Sequence, residues 1–420
     1  MKYKEIEEKF QGAARFGSLP GVKISEKMLA AVGNPQKGLP FIHIAGTNGK
    51  GSTAAFLRSV LTEAGYKTGM YTSPHLEEFT ERFSVDGKNI SKEDFKGIGE
   101  WILGQNFGVS PTMSDYCLLL SLLFFKERRC DVAIFETGLG GRLDSTNALG
   151  VPEVAVLTKI GFDHTGILGN TLSEIAMEKA GILKPGCRAV SGPQSREAEE
   201  VFRRYCRERH IPLTLAESRD IEGEGAQFSY PGEGEFEISM LGKYQRENAL
   251  TAVLAARELR DIGYRISQQA LHQGILKAKW PGRMELLIKE PFFLADGAHN
   301  GDGAKALADS LKELYPGEKF RFVMGVLADK DYEEMADAIL PLALEVVTVT
   351  PEHERALKGE HLAAYIREQG VLARHCLDVR DALSEFLNPE RAGINRKTVA
   401  FGSLYFIGKV RSYIKSLYNI

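Results

Sequence analysis

The sequence lacks the features that mark several classes of protein. Only five of its 420 residues are cysteines, and without a Cys-x-x-Cys pair they argue against a disulfide framework or a zinc site and for a reducing compartment. The formal net charge of −3 provides no basic excess of the kind that binds nucleic acid. No apolar run approaches the roughly 18 residues of a membrane span, and residues 1–5 are too charged for a secretion signal. We therefore predict a cytoplasmic protein with no nucleic-acid or membrane partner.

Short apolar runs alternate with helical patterns along most of the chain. Strand-like runs occupy residues 41–44, 132–135 and 154–157. Helical patterns lie between them, and the apolar run at 117–125 is typical of a buried helix. Such alternation indicates a mostly parallel sheet wrapped by helices. The sequence therefore predicts an α/β fold.

The length predicts two domains, because one hydrophobic core rarely serves 420 residues. Residues 1–288 are predicted to form a P-loop-type domain, with a small β-rich excursion at about 213–241 where glycines interrupt the pattern. A second series of strands and helices begins near residue 292. Residues 289–420 are therefore predicted to form a smaller, Rossmann-like α/β domain.

The strongest chemical signal is the run Gly-Thr-Asn-Gly-Lys-Gly-Ser-Thr at residues 46–53, directly after a strand and before a helix. A phosphate-binding loop lies at such a place, because backbone N–H groups and the helix N-terminus face the anion there. The match to the strict P-loop pattern is imperfect, since Ile44 stands where its first glycine belongs. The alternative is a glycine turn with a solvated lysine. The predicted nucleotide-binding residues of the loop are Thr47, Asn48, Gly49, Lys50, Gly51 and Ser52.

Three segments that follow strands carry side chains suited to a cation. Ser73 follows the strand at 67–71, Glu136 ends the next predicted strand, and His164 follows the one after that. A carboxylate at the end of a buried strand is costly unless it binds something, and Mg²⁺ prefers oxygen ligands. The structural alternatives are a turn cap for the serine, a surface carboxylate in a glycine loop, and a structural histidine.

The loop and the segments after the strands together resemble a known family. Gly-Thr-Asn-Gly-Lys is similar to the loop of the Mur ligase superfamily, and Lys-Gly-Ser resembles its folylpolyglutamate synthase branch. The run Gly-Gly-Arg-Leu-Asp-Ser-Thr-Asn at 140–147 also resembles that family, and the similarity recurs from residue 43 to about residue 411. It implies an ATP-dependent ligase that acts as a monomer and adds L-glutamate to a folate through an acyl phosphate. Whether dihydropteroate is also a substrate stays open.

The resemblance assigns roles to particular residues. It implies that Ser73, Glu136 and His164 hold Mg²⁺, and that Lys179, in a Glu-Lys-Ala-Gly segment, is a carbamylated ligand of a second ion. Pairing of an unmodified Lys179 with phosphate is the alternative. The remaining assignments are Lys50, Lys179 and His299 to catalysis, Asn248, Arg283 and Asp296 to the nucleotide, and Arg82, Asp144 and Ser403 to the folate or glutamate.

Two other functions remain open at this point. A muramyl-type ligase of cell-wall synthesis shares the superfamily, but the Lys-Gly-Ser sequence at 50–52 and the Tyr-Thr-Ser-Pro-His run at 71–75 argue against it, as does a phosphate loop that begins only about 45 residues into the chain. A nucleotide-dependent regulatory switch would need the loop and the Mg²⁺ site but no acyl acceptor. Phosphate release that requires both folate and glutamate would distinguish a ligase from a switch.

Overall fold

The computed structural model describes residues 1–13, 21–218, 221–387 and 397–418. The chain forms two compact units. Unit 1 comprises Met1–Gly223, Gln227–Ile238 and Glu247–Lys279, and unit 2 comprises Glu224–Ala226, Ser239–Arg246 and Trp280–Ile420. The main division therefore falls between residues 279 and 280, not between 288 and 289. The reason is a strand at Glu285–Ile288, which pairs with the sheet of unit 2.

Unit 1 is built on a mostly parallel sheet, as predicted. Its order is β4-β3-β2-β5-β1-β6-β7-β8, in which β2 and β5 to β8 run parallel to β1 and the short strands β3 and β4 form an antiparallel edge. The central strands are buried along their whole length and apolar except for His43 in β1 and Glu136 at the end of β5, because helices cover both faces of a parallel sheet. The strands are β1 Phe41–Ala45, β2 Thr68–Tyr71, β3 Phe83–Val85, β4 Lys88–Asn89, β5 Val132–Glu136, β6 Val154–Leu157, β7 Arg188–Ser191 and β8 Leu213–Leu215.

The helices of the first 280 residues follow the predicted alternation. The apolar run at 117–125 lies inside α5 and is almost entirely buried, which confirms the buried helix. Among the described residues, no helix is long and apolar enough to cross a membrane. The helices are α1 Tyr3–Gln11, α2 Lys23–Ala31, α3 Lys50–Glu63, α4 Lys92–Leu103, α5 Met113–Glu127, α6 Thr165–Leu168, α7 Leu172–Ala180, α8 Arg196–Glu208, α9 Lys243–Asp261 and α10 Gln268–Lys277.

The predicted β-rich excursion is an antiparallel hairpin of β9 Gln227–Tyr230 and β10 Gly234–Glu237. Its two phenylalanines, Phe228 and Phe236, stack with ring centroids 5.1 Å apart. The turn carries Glu233, whose buried carboxylate accepts hydrogen bonds from the guanidinium groups of Arg257 and Arg260 on α9. These contacts fix the hairpin on unit 1.

Unit 2 is a second, smaller α/β layer structure, as predicted. Its sheet has the order β11-β12-β16-β13-β14-β15, and only β11 is antiparallel to its neighbour. Sequence reasoning missed β11 and β15, which are short strands at the sheet edges. The elements are β11 Glu285–Ile288, β12 Phe293–Ala295, α11 Gly301–Leu314, β13 Phe320–Met324, α12 Tyr332–Ile339, β14 Ala343–Val349, α13 Gly359–Glu368, β15 Ala373–Cys376, α14 Val379–Leu387, β16 Lys397–Phe401 and α15 Leu404–Tyr418. All five cysteines of the chain are free thiols.

Candidate active site

The phosphate loop connects the end of β1 to the start of α3, as the sequence predicts. Gly49 caps α3 in the left-handed conformation, with φ 89° and no side-chain cap on the helix N-terminus. A Cβ atom on Gly46 would lie 1.9 Å from the Thr158 hydroxyl, and one on Gly49 would lie 2.2 Å from the Asn248 Oδ1 atom. Both glycines are therefore required by close approach, and Asn248 lies directly against the loop to which sequence analysis assigned it.

The segment after β6 is held against the same loop. The backbone N–H groups of Thr47 and Asn48 donate to the carbonyl of Lys159 at 2.9 and 3.1 Å, and the Thr47 hydroxyl donates to the carbonyl of Gly161 at 3.0 Å. His164 follows three residues later, at the start of α6, with an exposed side chain. The structure thus brings the backbone of this segment to the loop, while the metal-binding role of His164 stays a prediction.

Two lysines converge on one carbonyl oxygen of the loop. Lys50 Nζ donates to the carbonyl of Gly46 at 3.0 Å, and Lys179 Nζ, from the last turn of α7, donates to the same oxygen at 2.9 Å. Lys179 is buried, and this burial, together with the nearby charge of Lys50, lowers the pKa of Lys179 to about 7. Such a concentration of positive charge favours an anion, and phosphate is the anion that this type of loop binds.

Glu136 and Ser73 meet beside these lysines. The Glu136 carboxylate is only 5% exposed; it accepts a hydrogen bond from Ser73 N–H at 3.3 Å and lies 4.0 Å from Lys50 Nζ. A Cβ on Gly138 would lie 3.5 Å from the Ser73 hydroxyl oxygen, so this hydroxyl faces the glycine loop that follows β5. The parallel neighbours β2 and β5 end at the same sheet edge, which explains why residues 63 positions apart come together.

The donor atoms at this edge of the sheet suit Mg²⁺ better than a metal ion whose ligands all come from the protein. Within residues 1–13, 21–218, 221–387 and 397–418, no group of three or more His, Cys, Asp or Glu side chains is placed to hold a metal ion. The Ser73 hydroxyl and the Glu136 carboxylate offer two oxygens. Mg²⁺ keeps several waters and is usually bound by one or two carboxylates together with substrate phosphates, so the residues fit that ion.

Asp144 shapes the glycine loop after β5. Its Oδ2 atom accepts hydrogen bonds from the backbone N–H groups of Gly138 and Leu139 at 2.9 and 3.0 Å. Its Oδ1 atom accepts from the N–H of Thr146 at 3.0 Å. Burial raises the pKa of Asp144, whereas these hydrogen bonds act to lower it. The structure therefore shows a loop-organising carboxylate, and its predicted contact with substrate stays a prediction.

Arg82 is buried and firmly oriented near the start of β3. Its Nε donates to His75 Nδ1 at 3.0 Å, and its guanidinium lies 5.0 Å from the centroid of the Phe79 ring. Burial, with a further contribution from the Arg82 charge, lowers the pKa of His75 to about 4. His75 is thus a neutral acceptor that orients Arg82. The predicted role of Arg82 at the folate pocket is consistent with this fixed position but stays a prediction.

The predicted site residues of unit 2 gather at the carboxyl end of β12. Asp296 accepts hydrogen bonds from the Tyr244 hydroxyl at 2.7 Å and the Met284 N–H at 2.8 Å. A Cβ on Gly297 would lie 1.8 Å from Arg283 Nη1, and His299 Nδ1 lies 2.8 Å from the Gly297 carbonyl oxygen. The structure brings these side chains together within unit 2, and their roles towards nucleotide and catalysis stay predictions.

Ser403 lies at the start of α15. Its hydroxyl accepts a hydrogen bond from Phe406 N–H at 3.2 Å, and the residue is 2% exposed. This contact is a helix N-cap. The predicted role of Ser403 in holding glutamate has no direct support in the geometry and stays a prediction.

Sequence reasoning missed two buried polar residues near the site. Thr158 contacts the phosphate loop at Gly46, and His43, within β1, contacts Thr146. The signal for His43 was a histidine in an otherwise apolar strand of five residues. Thr158 carries no comparable signal, because a threonine at the end of a strand is common.

Comparison with known proteins agrees with this geometry. The chain matches the Mur ligase middle domain over residues 44–256 and the Mur ligase glutamate ligase domain over residues 282–403. It is 36% identical to the dihydrofolate synthase/folylpolyglutamate synthase of Bacillus subtilis, over 98% of this chain and 99% of that protein. It is 32% identical to the folylpolyglutamate synthase of Lacticaseibacillus casei, over 91% of this chain and 92% of that protein.

A solved structure supports the same grouping. The folylpolyglutamate synthase of Mycobacterium tuberculosis, complexed with ADP and AMPPCP, superposes with a TM-score of 0.88 at 28% identity and 98% coverage of both chains. The similarity therefore extends over both units and not only over the phosphate loop. This chain belongs to the Mur ligase family, in the branch that contains the folylpolyglutamate and dihydrofolate synthases.

Proposed function

We propose that this chain is an ATP-dependent ligase that joins L-glutamate to a folate through an amide bond. The observation that carries the proposal is the cluster of Lys50, Lys179, Glu136 and Ser73 around one phosphate loop. Relatives that match over nearly the whole chain have this activity in their names. The same matches do not favour a muramyl-type ligase or a regulatory switch.

The first chemical step needs charge stabilisation more than a protein nucleophile. A carboxylate oxygen of the folate's terminal glutamate attacks the γ-phosphorus of ATP, a P–O bond to ADP breaks, and an acyl phosphate forms. Lys50 and the N–H groups at the start of α3 stabilise the negative charge on the phosphoryl oxygens. Asn248, beside Gly49, together with Arg283 and Asp296, completes the proposed nucleotide contacts.

The second step forms the amide. The α-amine of free L-glutamate attacks the acyl carbon, phosphate leaves, and the amine loses a proton. An acyl phosphate hydrolyses unless water is excluded, so bulk water must be kept from the site during this step. We assign Arg82 and Asp144 to the folate, Ser403 to glutamate and His299 to the ligation step.

We infer that Mg²⁺ is held by Ser73 and Glu136, with His164 as a third ligand. When bound, the ion neutralises charge on the phosphate oxygens. The support is the pair of oxygen donors beside the lysines and the position of the His164 segment against the loop.

For a second ion we propose a carbamate on Lys179. The ammonium group first loses one proton; the neutral amine then attacks the carbon of CO₂, a C–N bond forms as one C–O π bond breaks, and a second proton is released, so that a buried cation becomes an anion with two oxygens. Two features support this: Lys179 is 4% exposed, and a second ammonium group, Lys50, shares its hydrogen-bond acceptor. A modified lysine would relieve the repulsion between the two and supply the oxygen ligands that Mg²⁺ prefers.

The test of the function is an ATP turnover assay with purified protein. ADP and phosphate should appear only when a reduced folate and L-glutamate are both present, and mass spectrometry should show one added glutamyl residue. Turnover that is independent of glutamate would contradict the proposal, as would turnover that requires a muramyl precursor. Replacing the folate by dihydropteroate in the same assay decides whether the chain also makes dihydrofolate. Gel filtration tests the predicted monomer.

A further inference from the structure

A chain of hydrogen bonds runs from the middle of β1 to the glycine loop after β5. His43 is completely buried, and its Nε2 atom lies 2.8 Å from the Thr146 hydroxyl oxygen. The Thr146 hydroxyl in turn donates to Asp144 Oδ1. Asp144 Oδ2 holds the N–H groups of Gly138 and Leu139. Four hydrogen-bonded links therefore connect the core of the sheet to the residues directly after Glu136.

The single hydroxyl proton of Thr146 determines which groups donate and which accept in this chain of hydrogen bonds. A hydroxyl carries one proton, and Thr146 donates it to the carboxylate of Asp144. His43 must then donate from Nε2, so that its neutral ring carries the proton on that nitrogen. Burial is consistent with this, since it lowers the pKa of His43 to about 3. The other ring nitrogen, Nδ1, has no hydrogen-bond partner among the described residues.

That last feature argues against a purely stabilising role. A buried polar atom without a partner lowers the stability of the fold, and an apolar side chain in β1 would avoid that loss. The histidine is instead oriented towards Thr146, next to the strand that ends in Glu136: His43 pairs with Phe135 and Ile44 pairs with Glu136 in the parallel register. The Gly138 position borders both the Asp144 carboxylate and the Ser73 hydroxyl, each 3.5 Å from a Cβ placed there.

We propose that His43 and Thr146 are positioning residues for the ligation reaction: acting through Asp144, they fix the glycine loop that follows Glu136 and faces the Ser73 hydroxyl. The proposal rests on the function proposed above. Neither residue reaches a reacting atom. They set the path of residues 136–139, so that the oxygen donors of Glu136 and Ser73 keep one separation.

Thr146→Val is the central variant, since it keeps the shape of the side chain and removes the hydroxyl. We expect it to weaken Mn²⁺ binding in the presence of ADP by about 10-fold and to lower kcat by a similar factor, the usual effect of losing a group that orients metal ligands. The KM for glutamate should stay unchanged. Thr146→Ser and His43→Gln, which keep the hydroxyl and an N–H donor, should stay near the wild-type values, and His43→Leu should fall between them.

Thr348→Val is the matched control. Thr348 is also a completely buried threonine whose hydroxyl donates a hydrogen bond, here to the Gly359 carbonyl at 2.7 Å, but it lies on β14 in unit 2. It should lose stability and keep its Mn²⁺ affinity and kcat. Equal loss of stability in Thr146→Val and Thr348→Val, with Mn²⁺ affinity and kcat unchanged in both, would overturn the proposal. If Thr146→Val fails to fold, His43→Leu against His43→Gln supplies the same comparison.

Mn²⁺ binding with ADP is measured by paramagnetic resonance or titration and does not depend on turnover. An inactive wild-type protein would therefore defeat the proposed function, while Mn²⁺ affinities of Thr146→Val and Thr348→Val would still decide the role of His43 and Thr146: equal affinities would overturn it. Conversely, an active wild-type protein whose Thr146→Val variant binds Mn²⁺ normally defeats only the positioning role.

Discussion

Charged side chains are arranged differently at the phosphate loop of unit 1 and in unit 2. At the phosphate loop of unit 1, the amino groups of Lys50 and Lys179 share one carbonyl oxygen, and Glu136 lies 4.0 Å from Lys50 Nζ. In unit 2, Arg246 forms two hydrogen bonds with Glu313 and Arg411 forms two with Glu285. A hydrogen-bonded pair of opposite charges satisfies both groups, whereas two neighbouring positive groups cost free energy until an anion binds or one of them loses its proton.

This difference indicates which unit binds the negatively charged phosphates of ATP. Clustered like charges at a helix N-terminus are an electrostatic arrangement made for an anion. Arg246 and Arg411 of unit 2, in contrast, each have a carboxylate partner. The proposed phosphate site is therefore on unit 1, and among the assigned residues of unit 2 His299 is expected to act on ligation more than on nucleotide affinity.

Among the variants considered, removal of Lys50 is expected to reduce activity most. Lys50→Met should lower kcat/KM for ATP by about 10³-fold, near 4 kcal/mol of transition-state stabilisation. The melting temperature should change little, because the loss of the ion pair with Glu136 opposes the relief of repulsion with Lys179. Steady-state kinetics and thermal unfolding of one preparation test both statements. Unchanged ATP turnover would remove Lys50 from the site.

The oxygen donors come next. Glu136→Gln and Ser73→Ala should each reduce activity by about 100-fold, near 2.7 kcal/mol, since Mg²⁺ loses a negatively charged ligand in the first variant and a hydroxyl oxygen in the second. His164→Ala should show a comparable loss if it is the third ligand. The measurement is kcat over a range of Mg²⁺ concentrations. Near-full activity of any one variant at low Mg²⁺ removes that residue from the ligand set.

Lys179→Ala distinguishes a carbamate from a plain lysine. Added acetate or another short carboxylic acid should restore part of the lost activity, because its oxygens replace those of the carbamate. The control is the same titration with short alkylamines, which would restore activity if an unmodified lysine bound phosphate. Rescue by amines alone would defeat the carbamate.

His299→Ala tests whether this residue of unit 2 acts on ligation or on nucleotide binding. We expect kcat for ligation to fall by about 10-fold or more, the lower range for a positioned catalytic group, while the Kd for ATP stays within twofold. Calorimetric titration with AMPPCP measures the binding. An equal loss in ATP affinity would place His299 at the nucleotide instead.

Ser403→Ala gives the smallest expected effect. Loss of the cap on α15 should reduce the free energy of unfolding by about 1 kcal/mol. A role in holding glutamate predicts, in addition, a raised KM for glutamate, which the cap alone does not. Denaturant unfolding and glutamate titrations separate the two, and an unchanged KM would leave Ser403 with the cap only.

Much of the architecture was predictable because its signals are local. The apolar strands, the amphipathic helices and the loop between β1 and α3 depend on residues close in sequence. The edge strands β11 and β15 were missed because they lack such a pattern: β15 reads Ala-Arg-His-Cys. The predicted domain boundary, between residues 288 and 289, follows β11, whereas the division in the structure precedes it. The reason is the same, since β11 belongs to unit 2 through its pairing with β12.

The features of the candidate site likewise fall into those that the sequence predicts and those that only the structure shows. By itself, the sequence determined that a phosphate loop follows β1 and that polar side chains follow β2, β5 and β6, because the residue types and their order are enough for that. Only the tertiary structure decided that Lys179 Nζ reaches the carbonyl of Gly46 across 133 residues, that Asn248 lies against Gly49 and that His43 supports the loop after β5. These contacts depend on how helices pack on the sheet, and packing between distant segments leaves no periodic pattern in the chain.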